Sequence, residues 1–197
     1  MKMGRIEKFL VNSSWSKKRV LGLTKELLGY AELNGKQDLL EVGCGNGVVS
    51  RYLADKYQAN VVGIDIDPEQ IALASKGIGD AGSVRFLEAD ATRLPFEAGS
   101  FDVVLSFGVM HHIDNWLAAL GEVKRVLRPG GYFIYADILY PGWMARLDRL
   151  SVHGFGLVTV GLDDVDSFIR QNGFSTIYAR LKRAIIHKNY EAVYRRN

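Results

Sequence analysis

Apolar runs of strand length alternate with helical patterns from residue 39 onward, and this alternation limits the possible folds more than any other feature of the chain. It is typical of repeated strand–helix units, whose strands form a parallel sheet. The runs are almost continuous in Val, Ile, Leu and Phe, as expected of strands that are covered on both faces. The predicted strands lie near residues 38–42, 60–65, 84–88, 101–106 and 131–137, and the predicted helices near 47–57, 68–76 and 114–127.

The flanking segments predict a helix before the first strand and a mixed edge of the sheet. Residues 20–31 place apolar side chains on one helical face. After the fifth strand, residues 138–150 predict a connector with a short helix, and residues 163–172 predict a further helix. Two closing strands, near 174–182 and 184–194, are too close in the chain for a helical crossover, so we expect them to be antiparallel.

Composition favours one soluble domain. A length of 197 residues is enough for a substantial core. Cys44 is the only cysteine, so no disulfide forms within the chain and a reducing compartment is expected. The longest apolar run, near residues 103–110, is too short to span a bilayer, and the N-terminal residues lack a signal-peptide pattern. We therefore expect a cytoplasmic protein.

Positive charge is concentrated at both ends of the chain. Residues 1–30 carry seven Lys or Arg against two Glu, and residues 180–197 carry six against one, which leaves the middle of the chain at −7. Such basic ends suit an anionic substrate, an anionic membrane surface or nucleic acid, and they also suit a purely solubilising role. Charge alone leaves these alternatives open.

Three alternate glycines follow the first predicted strand. Gly43, Gly45 and Gly47 lie in a strand–loop–helix unit, where glycines allow a ligand to touch the backbone. The nicotinamide fingerprint is G-x-G-x-x-G, and here the third glycine comes one residue early. Glu41 would also repel a pyrophosphate. The loop therefore predicts a ligand with a positive end and no phosphate, and it disfavours a nicotinamide-dependent oxidoreductase.

Acidic residues at later strand ends predict that this ligand contains an adenosine. Asp65 ends the second predicted strand, where a carboxylate lies beside ribose hydroxyls in such folds. Asp90 follows the third strand and can accept a hydrogen bond from an adenine amine, while Ala91 offers its backbone N–H. The fourth strand, residues 101–106, lies next to the first at the switch point where these sheets bind ligands.

These stretches together resemble the class I S-adenosylmethionine-dependent methyltransferases, and among them the branch of the ubiquinone and menaquinone biosynthesis methyltransferases. The resemblance covers roughly residues 38–138 and is carried by L-L-E-V-G-C-G-N-G, V-V-G-I-D-I-D-P, E-A-D-A-T-R-L-P-F, F-D-V-V-L-S and E-V-K-R-V-L-R-P-G-G-Y-F. It implies an α/β fold, a Rossmann-like, doubly wound and mostly parallel seven-stranded sheet with an antiparallel last strand. It also implies S-adenosyl-L-methionine as cofactor and S-adenosyl-L-homocysteine as product.

The resemblance also implies the roles of individual residues. The glycine loop and Glu41 surround the methionine portion, Asp65 the ribose, and Ser106 the methionyl amine through its backbone. We expect a single domain with an N-terminal helical lid (1–35), a cofactor-binding core (36–138) and a substrate-side segment with the closing strands (139–197). The implied cofactor-binding residues are Glu41, Gly43, Cys44, Gly45, Gly47, Asp65, Ile66, Asp90, Ala91 and Ser106.

The substrate side is less defined. His111 and His112, just past the fourth strand, are the ionisable candidates for proton transfer, and a packing role is the alternative. Tyr140 and His153 are weaker candidates. No metal site is predicted. The N-P-P-Y run of nucleic-acid amino-methyltransferases is absent, since S-F-G-V stands in its place, and one thiol is too few for arsenic methylation.

The sequence therefore predicts methyl transfer to a small-molecule or lipid-like acceptor. The alternative is a catalytically silent, cofactor-binding regulatory partner. Apolar residues among the N-terminal cations predict a lid over the site that also touches an anionic membrane; covering the sheet is the alternative role. The oligomeric state stays open.

Overall fold

A seven-stranded sheet with helices on both faces forms the protein. The computed structural model describes residues 12–33, 36–76, 83–144, 146 and 157–197. The strands are β1 (Asp38–Val42), β2 (Asn60–Asp65), β3 (Val84–Glu88), β4 (Phe101–Phe107), β5 (Leu127–Leu139), β6 (Phe174–Arg183) and β7 (Lys188–Arg196). The helices are α1 (Ser14–Leu28), α2 (Val48–Tyr57), α3 (Pro68–Ala74), α4 (Trp116–Val126) and α5 (Leu162–Gln171).

The strand order is β3-β2-β1-β4-β5-β7-β6. Strands β1 to β5 pair in parallel, whereas β7 is antiparallel to both β5 and β6. This confirms the predicted mostly parallel sheet with a reversed last strand. The chain leaves β1 toward β2 on one side and returns to β4 on the other, so the switch point lies between β1 and β4.

Two predicted boundaries were wrong, and tertiary pairing explains both. The second closing strand begins at Lys188 rather than near 184, because residues 184–187 form the hairpin turn, where the Ala184 amide donates to His187 O over 2.9 Å. β5 begins at Leu127 rather than near 131, because Leu127 pairs with Phe101 before the strand bulges outward. Neither feature has a local sequence signal.

The sheet buries apolar side chains on both faces, as the continuous apolar runs predict. In β1, Leu39 packs with Leu27 of α1 and Leu53 of α2 on one face, while Leu40 packs with Val104 and α4 on the other. The C-terminal half of α1 thus covers the sheet. The predicted lid residues Ile6, Phe9 and Leu10 lie outside the described residues, as does His153. Within the described part of the chain, no helix is long and apolar enough to cross a membrane.

Candidate active site

The glycine loop lies at the carboxyl end of β1, and its three glycines have different surroundings. All three have left-handed backbone, with φ of +71° at Gly43, +52° at Gly45 and +75° at Gly47. A Cβ on Gly43 would overlap the side chain of Val109, and one on Gly47 would overlap Phe86. A Cβ on Gly45 would meet nothing closer than Gln70 Oε1 at 3.9 Å. Packing therefore explains Gly43 and Gly47, whereas Gly45 leaves its backbone open to a ligand.

Asp65 links the loop to the end of β2. Its Oδ2 accepts from the Gly45 amide over 3.0 Å, and its Oδ1 accepts from the Asp67 amide over 2.9 Å. Burial raises the pKa of the Asp65 carboxyl, and these amide hydrogen bonds partly offset the rise. A carboxylate oxygen has two acceptor positions, so Asp65 retains capacity for ligand hydroxyls.

Glu41 is a buried carboxyl that holds a proton readily. Its Oε2 accepts a hydrogen bond from the Ser50 hydroxyl, and its side chain lies almost entirely inside the protein. Burial raises the pKa of Glu41 to about 8, and nearby Asp65 adds to the rise. The negative charge predicted for Glu41 therefore depends on the ligand, because a cationic ligand would favour the ionised form of the carboxyl.

The predicted adenine contacts flank Asp65. Ile66 follows it directly and is 40 % exposed, an unusual position for an isoleucine next to a buried strand. The Ala89 amide donates to Asp65 O over 3.1 Å, which holds the 89–91 segment beside the strand end. Asp90 is exposed, and its Oδ1 accepts from both the amide and the hydroxyl of Thr92, each at 2.8 Å.

Two buried polar side chains near the loop have no hydrogen-bond partner in the described structure. Ser106 pairs in register with Val42, and its Oγ is unpartnered. Gln70 in α3 is fully buried, and neither atom of its side-chain amide has a partner. Sequence reasoning missed Gln70; the available signal was a polar residue on the helix face that contacts the sheet. Cys44 is also buried, which raises the pKa of its thiol.

His111 forms a buried pair with Asp137. His111 lies in a 3₁₀ turn after β4, Asp137 near the end of β5, and the His111 Nδ1 is hydrogen-bonded to Asp137 Oδ1. Asp137 also accepts from the Met110 amide (2.8 Å) and the Ile138 amide (2.7 Å). These amides hold the carboxylate in place, so Asp137 can accept the hydrogen bond of the Nδ1–H of His111. Sequence reasoning missed Asp137, although an acid at a strand end was the same signal that identified Asp65.

Aromatic rings extend from His111 toward the closing hairpin. The His112 ring centroid lies 4.0 Å from that of His111, and the Tyr140 centroid lies 5.4 Å from it. Tyr140 in turn lies 6.0 Å from His187 in the β6–β7 turn. The structure thus pairs His111 with a buried carboxylate of β5 and places the His112 ring against that of His111.

Comparison with known proteins decides the family. Residues 40–135 match the family model described as a methyltransferase domain. The 27-O-demethylrifamycin SV methyltransferase of Amycolatopsis mediterranei is 34 % identical over 159 residues, covering 77 % of this chain and 58 % of the relative. The phthiotriol/phenolphthiotriol dimycocerosates methyltransferase of Mycobacterium tuberculosis is 44 % identical over 108 residues, covering 54 % and 39 %. Residues 40–135 are thus a methyltransferase domain, and these relatives support a class I S-adenosylmethionine-dependent methyltransferase.

The methyltransferase fold is also shown by solved structures. Phosphoethanolamine N-methyltransferase 2 of Haemonchus contortus, solved with S-adenosyl-L-methionine, superposes with a TM-score of 0.76 at 16 % identity, covering 89 % of this chain and 52 % of that one. The chain spans about half the length of the curated relatives that it matches. Members of this family use S-adenosyl-L-methionine as methyl donor and release S-adenosyl-L-homocysteine.

The residues at the glycine loop fit that donor. Gly45 presents open backbone, Gln70 and Ser106 offer unpartnered polar groups, and Glu41 offers a buried carboxyl whose ionised form a cation would favour. A surface cavity of about 260 Å³ lies beside the glycine loop, where Asn46 and Arg51 border it, and another of about 410 Å³ lies between α5 and β6. Neither cavity is lined by Asp65 or His111. The described residues contain no cluster of His, Cys, Asp and Glu that could hold a metal ion.

Proposed function

We propose that this protein transfers a methyl group from S-adenosyl-L-methionine to a hydroxyl of a small-molecule or lipid-like acceptor. The observation that carries the proposal is the buried pair of His111, in the turn after β4, and Asp137, near the end of β5. These two strands continue the sheet from β1, which the glycine loop follows. Cofactor loop and proton acceptor thus share one edge of the sheet.

The donor supplies an electrophilic methyl group on a sulfonium, and the protein positions the reactants. Asp65 would hold the ribose, while Ile66 and the 90–91 segment would hold the adenine. Gly45, Cys44, Glu41 and the Ser106 backbone would surround the methionine portion, with Gly43 and Gly47 shaping the loop. Close alignment of the reactants accounts for much of the rate acceleration of an in-line displacement.

His111 serves as general base. With its Nδ1–H donated to Asp137, the Nε2 of His111 would take the proton of the acceptor hydroxyl, and S-adenosyl-L-homocysteine would leave as the methyl group is transferred. Asp137 then stabilises the imidazolium that forms, as the carboxylate does in a Ser-His-Asp triad. A positioned base contributes roughly 10²- to 10⁴-fold to rate. His112 packs against His111 and shapes the pocket.

The acceptor class rests on two considerations. A hydroxyl needs a base, whereas an already nucleophilic amine or thiolate does not, so the dyad favours an oxygen acceptor. Relatives are named as methyltransferases of 27-O-demethylrifamycin SV and of phthiotriol/phenolphthiotriol dimycocerosates, which supports a small-molecule or lipid-like acceptor. A quinol acceptor of the ubiquinone and menaquinone type, and the exclusion of nucleic acid as substrate, remain predictions.

The test is formation of S-adenosyl-L-homocysteine in a screen of phenolic, quinol, alcohol and phospholipid acceptors. We expect at least one hydroxylated acceptor to be methylated by the wild type and not by His111→Ala. Calorimetric binding of S-adenosyl-L-methionine without turnover of any acceptor would instead support a silent regulatory partner.

A further inference from the structure

The turn between β6 and β7 presents two isoleucines to solvent. We call residues 183–188 the hairpin tip. Ile185 is 102 % exposed and Ile186 53 % exposed, so neither contributes to the core. Side chains of this type are normally buried, and exposing two at a protruding turn has no role in folding.

The hairpin tip lies at the same edge of the sheet as the candidate active site. Lys188 pairs with Leu139 at the carboxyl end of β5 and with Arg183 at the end of β6. That edge also holds the glycine loop and His111, because parallel strands bring their carboxyl ends together. The ring contact between Tyr140 and His187 joins the tip to the site directly.

Two exposed tryptophans lie at this edge as well. Trp143 is 58 % exposed and follows closely after the end of β5. Trp15 is 72 % exposed at the start of α1. Arg19, one turn later, reaches Asn189 of β7 at 3.4 Å, which places this end of α1 beside the tip. The four most exposed large hydrophobic side chains of the described residues therefore share one edge of the molecule.

Positive charge surrounds these apolar groups. Lys17, Lys18 and Arg19 follow Trp15, and residues 179–190 contain four Lys or Arg and no carboxylate. Arg180 and Lys182 are paired with Glu191, whereas Arg183 and Lys188 form no ion pair in the described part of the chain. The exposed edge is thus cationic as well as apolar.

We infer that this edge docks on an anionic lipid bilayer, with Ile185 and Ile186 entering the headgroup region. Tryptophans prefer the membrane interface, and Lys or Arg near the surface are attracted by anionic headgroups. Insertion of a few apolar side chains together with cations suffices for reversible peripheral binding. A polyanion such as RNA would use the cations but not the isoleucines, so the pairing of the two favours lipid.

Docking in this orientation would place the mouth of the active site against the lipid surface. A lipid-like acceptor could then reach His111 without crossing bulk water. Membrane docking does not require methyl transfer, so vesicle binding tests this inference even if the proposed function fails, and turnover of a soluble acceptor tests the proposed function alone.

The experiment is cosedimentation of the full chain with phosphatidylglycerol-containing and pure phosphatidylcholine vesicles over a salt series. We expect preferential binding to the anionic vesicles that declines steeply as salt rises. The double variant Ile185→Ser/Ile186→Ser should lose about ten- to a hundredfold in vesicle affinity. Ile177→Ser is the matched control, because Ile177 is 47 % exposed on β6 but lies far from the tip, and it should bind as the wild type does.

Charge-reversal variants test the contribution of the cations at the hairpin tip. Arg183→Glu/Lys188→Glu should abolish the preference for anionic lipid, whereas Arg85→Glu on the exposed β3 edge should not. Wild-type binding by the isoleucine double variant, or equal binding to neutral and anionic vesicles, would overturn the inference. The inference would also be overturned if RNA competed for binding and the protein then showed no preference for lipid. Turnover of a soluble acceptor should be the same in the isoleucine variant and the wild type.

Discussion

The Gly45 amide donates a 3.0 Å hydrogen bond to Asp65 Oδ2, so the glycine loop is held by the residue expected to bind the ribose. The same carboxylate accepts from the Asp67 amide through Oδ1. One buried side chain thus orders the loop after β1 and the entry to α3. Binding of the adenosyl group is consequently coupled to loop geometry, and variants at this position should affect both ligand binding and stability, because two amides lose their acceptor.

Asp65→Ala should weaken S-adenosyl-L-methionine and S-adenosyl-L-homocysteine alike, by roughly ten- to a thousandfold. The reason is the loss of charge-assisted hydrogen bonds that each contribute about 1.5–3 kcal/mol. Asp67→Ala is the control. Asp67 caps α3, its Oδ1 accepting from the Glu69 amide over 3.0 Å, so its loss should cost about 1 kcal/mol of stability with little change in affinity. Calorimetry and thermal unfolding separate the two effects, and a larger affinity loss in Asp67→Ala would mean that the ribose contact is misplaced.

Gly45→Ala should reduce cofactor affinity at least tenfold while the protein stays folded. Its φ of +52° costs an alanine roughly 1–2 kcal/mol, and the added Cβ would enter the space left for the ligand. Gly173→Ala provides a matched control, because Gly173 also has a positive φ, +72°, with nothing within 4 Å, and lies at the end of α5. Equal affinity in the two variants would show that Gly45 does not face the cofactor.

Glu41 should release a proton when the cationic cofactor binds near pH 7. Its pKa is about 8 without ligand, and a nearby ammonium would lower it. The binding enthalpy should therefore depend on the ionisation enthalpy of the buffer, and Glu41→Gln should remove that dependence. Identical enthalpies in phosphate and Tris for the wild type would contradict this assignment.

The raised pKa of the Glu41 carboxyl should make the free energy of unfolding fall as pH rises. Between the model-peptide value of 4.5 and about 8, the folded protein holds a proton on Glu41 that the unfolded chain has lost. Stability therefore decreases with pH across this window, by at most about 1.4 kcal/mol per unit. Denaturant unfolding from pH 5 to 8.5 should give a flatter profile for Glu41→Gln.

His111→Gln should lower turnover of an oxygen acceptor by about 10²- to 10⁴-fold with little change in S-adenosyl-L-homocysteine affinity. Asp137→Asn should also lower turnover, because the amide no longer stabilises the imidazolium. His112→Gln should cost less than about tenfold. Single-turnover assays would measure these losses, with thermal unfolding to verify that Asp137→Asn remains folded. A greater loss in His112→Gln than in His111→Gln would reverse the assignment.

Local patterns in the sequence determined most of the strands, the helices and the glycine loop. The apolar run in β1 and the Pro68 start of α3 are signals that act within a few residues, so they could be interpreted without tertiary information. The position of Asp65 followed from the same logic, because a strand end is a local feature. The antiparallel direction of β7 also followed from the short connection between β6 and β7, since so few residues cannot make a parallel crossover.

Tertiary structure alone decided which of these parts meet. His111 and Asp137 are 26 residues apart in sequence and pair because β4 and β5 are neighbours. The burial of Gln70 without a partner, and the exposure of Ile185 where a strand was predicted, depend on how α3 and the β6–β7 hairpin sit on the sheet. Sequence periodicity reports which residues share a face of one element, whereas a site assembled from several elements depends on long-range packing that no local pattern encodes.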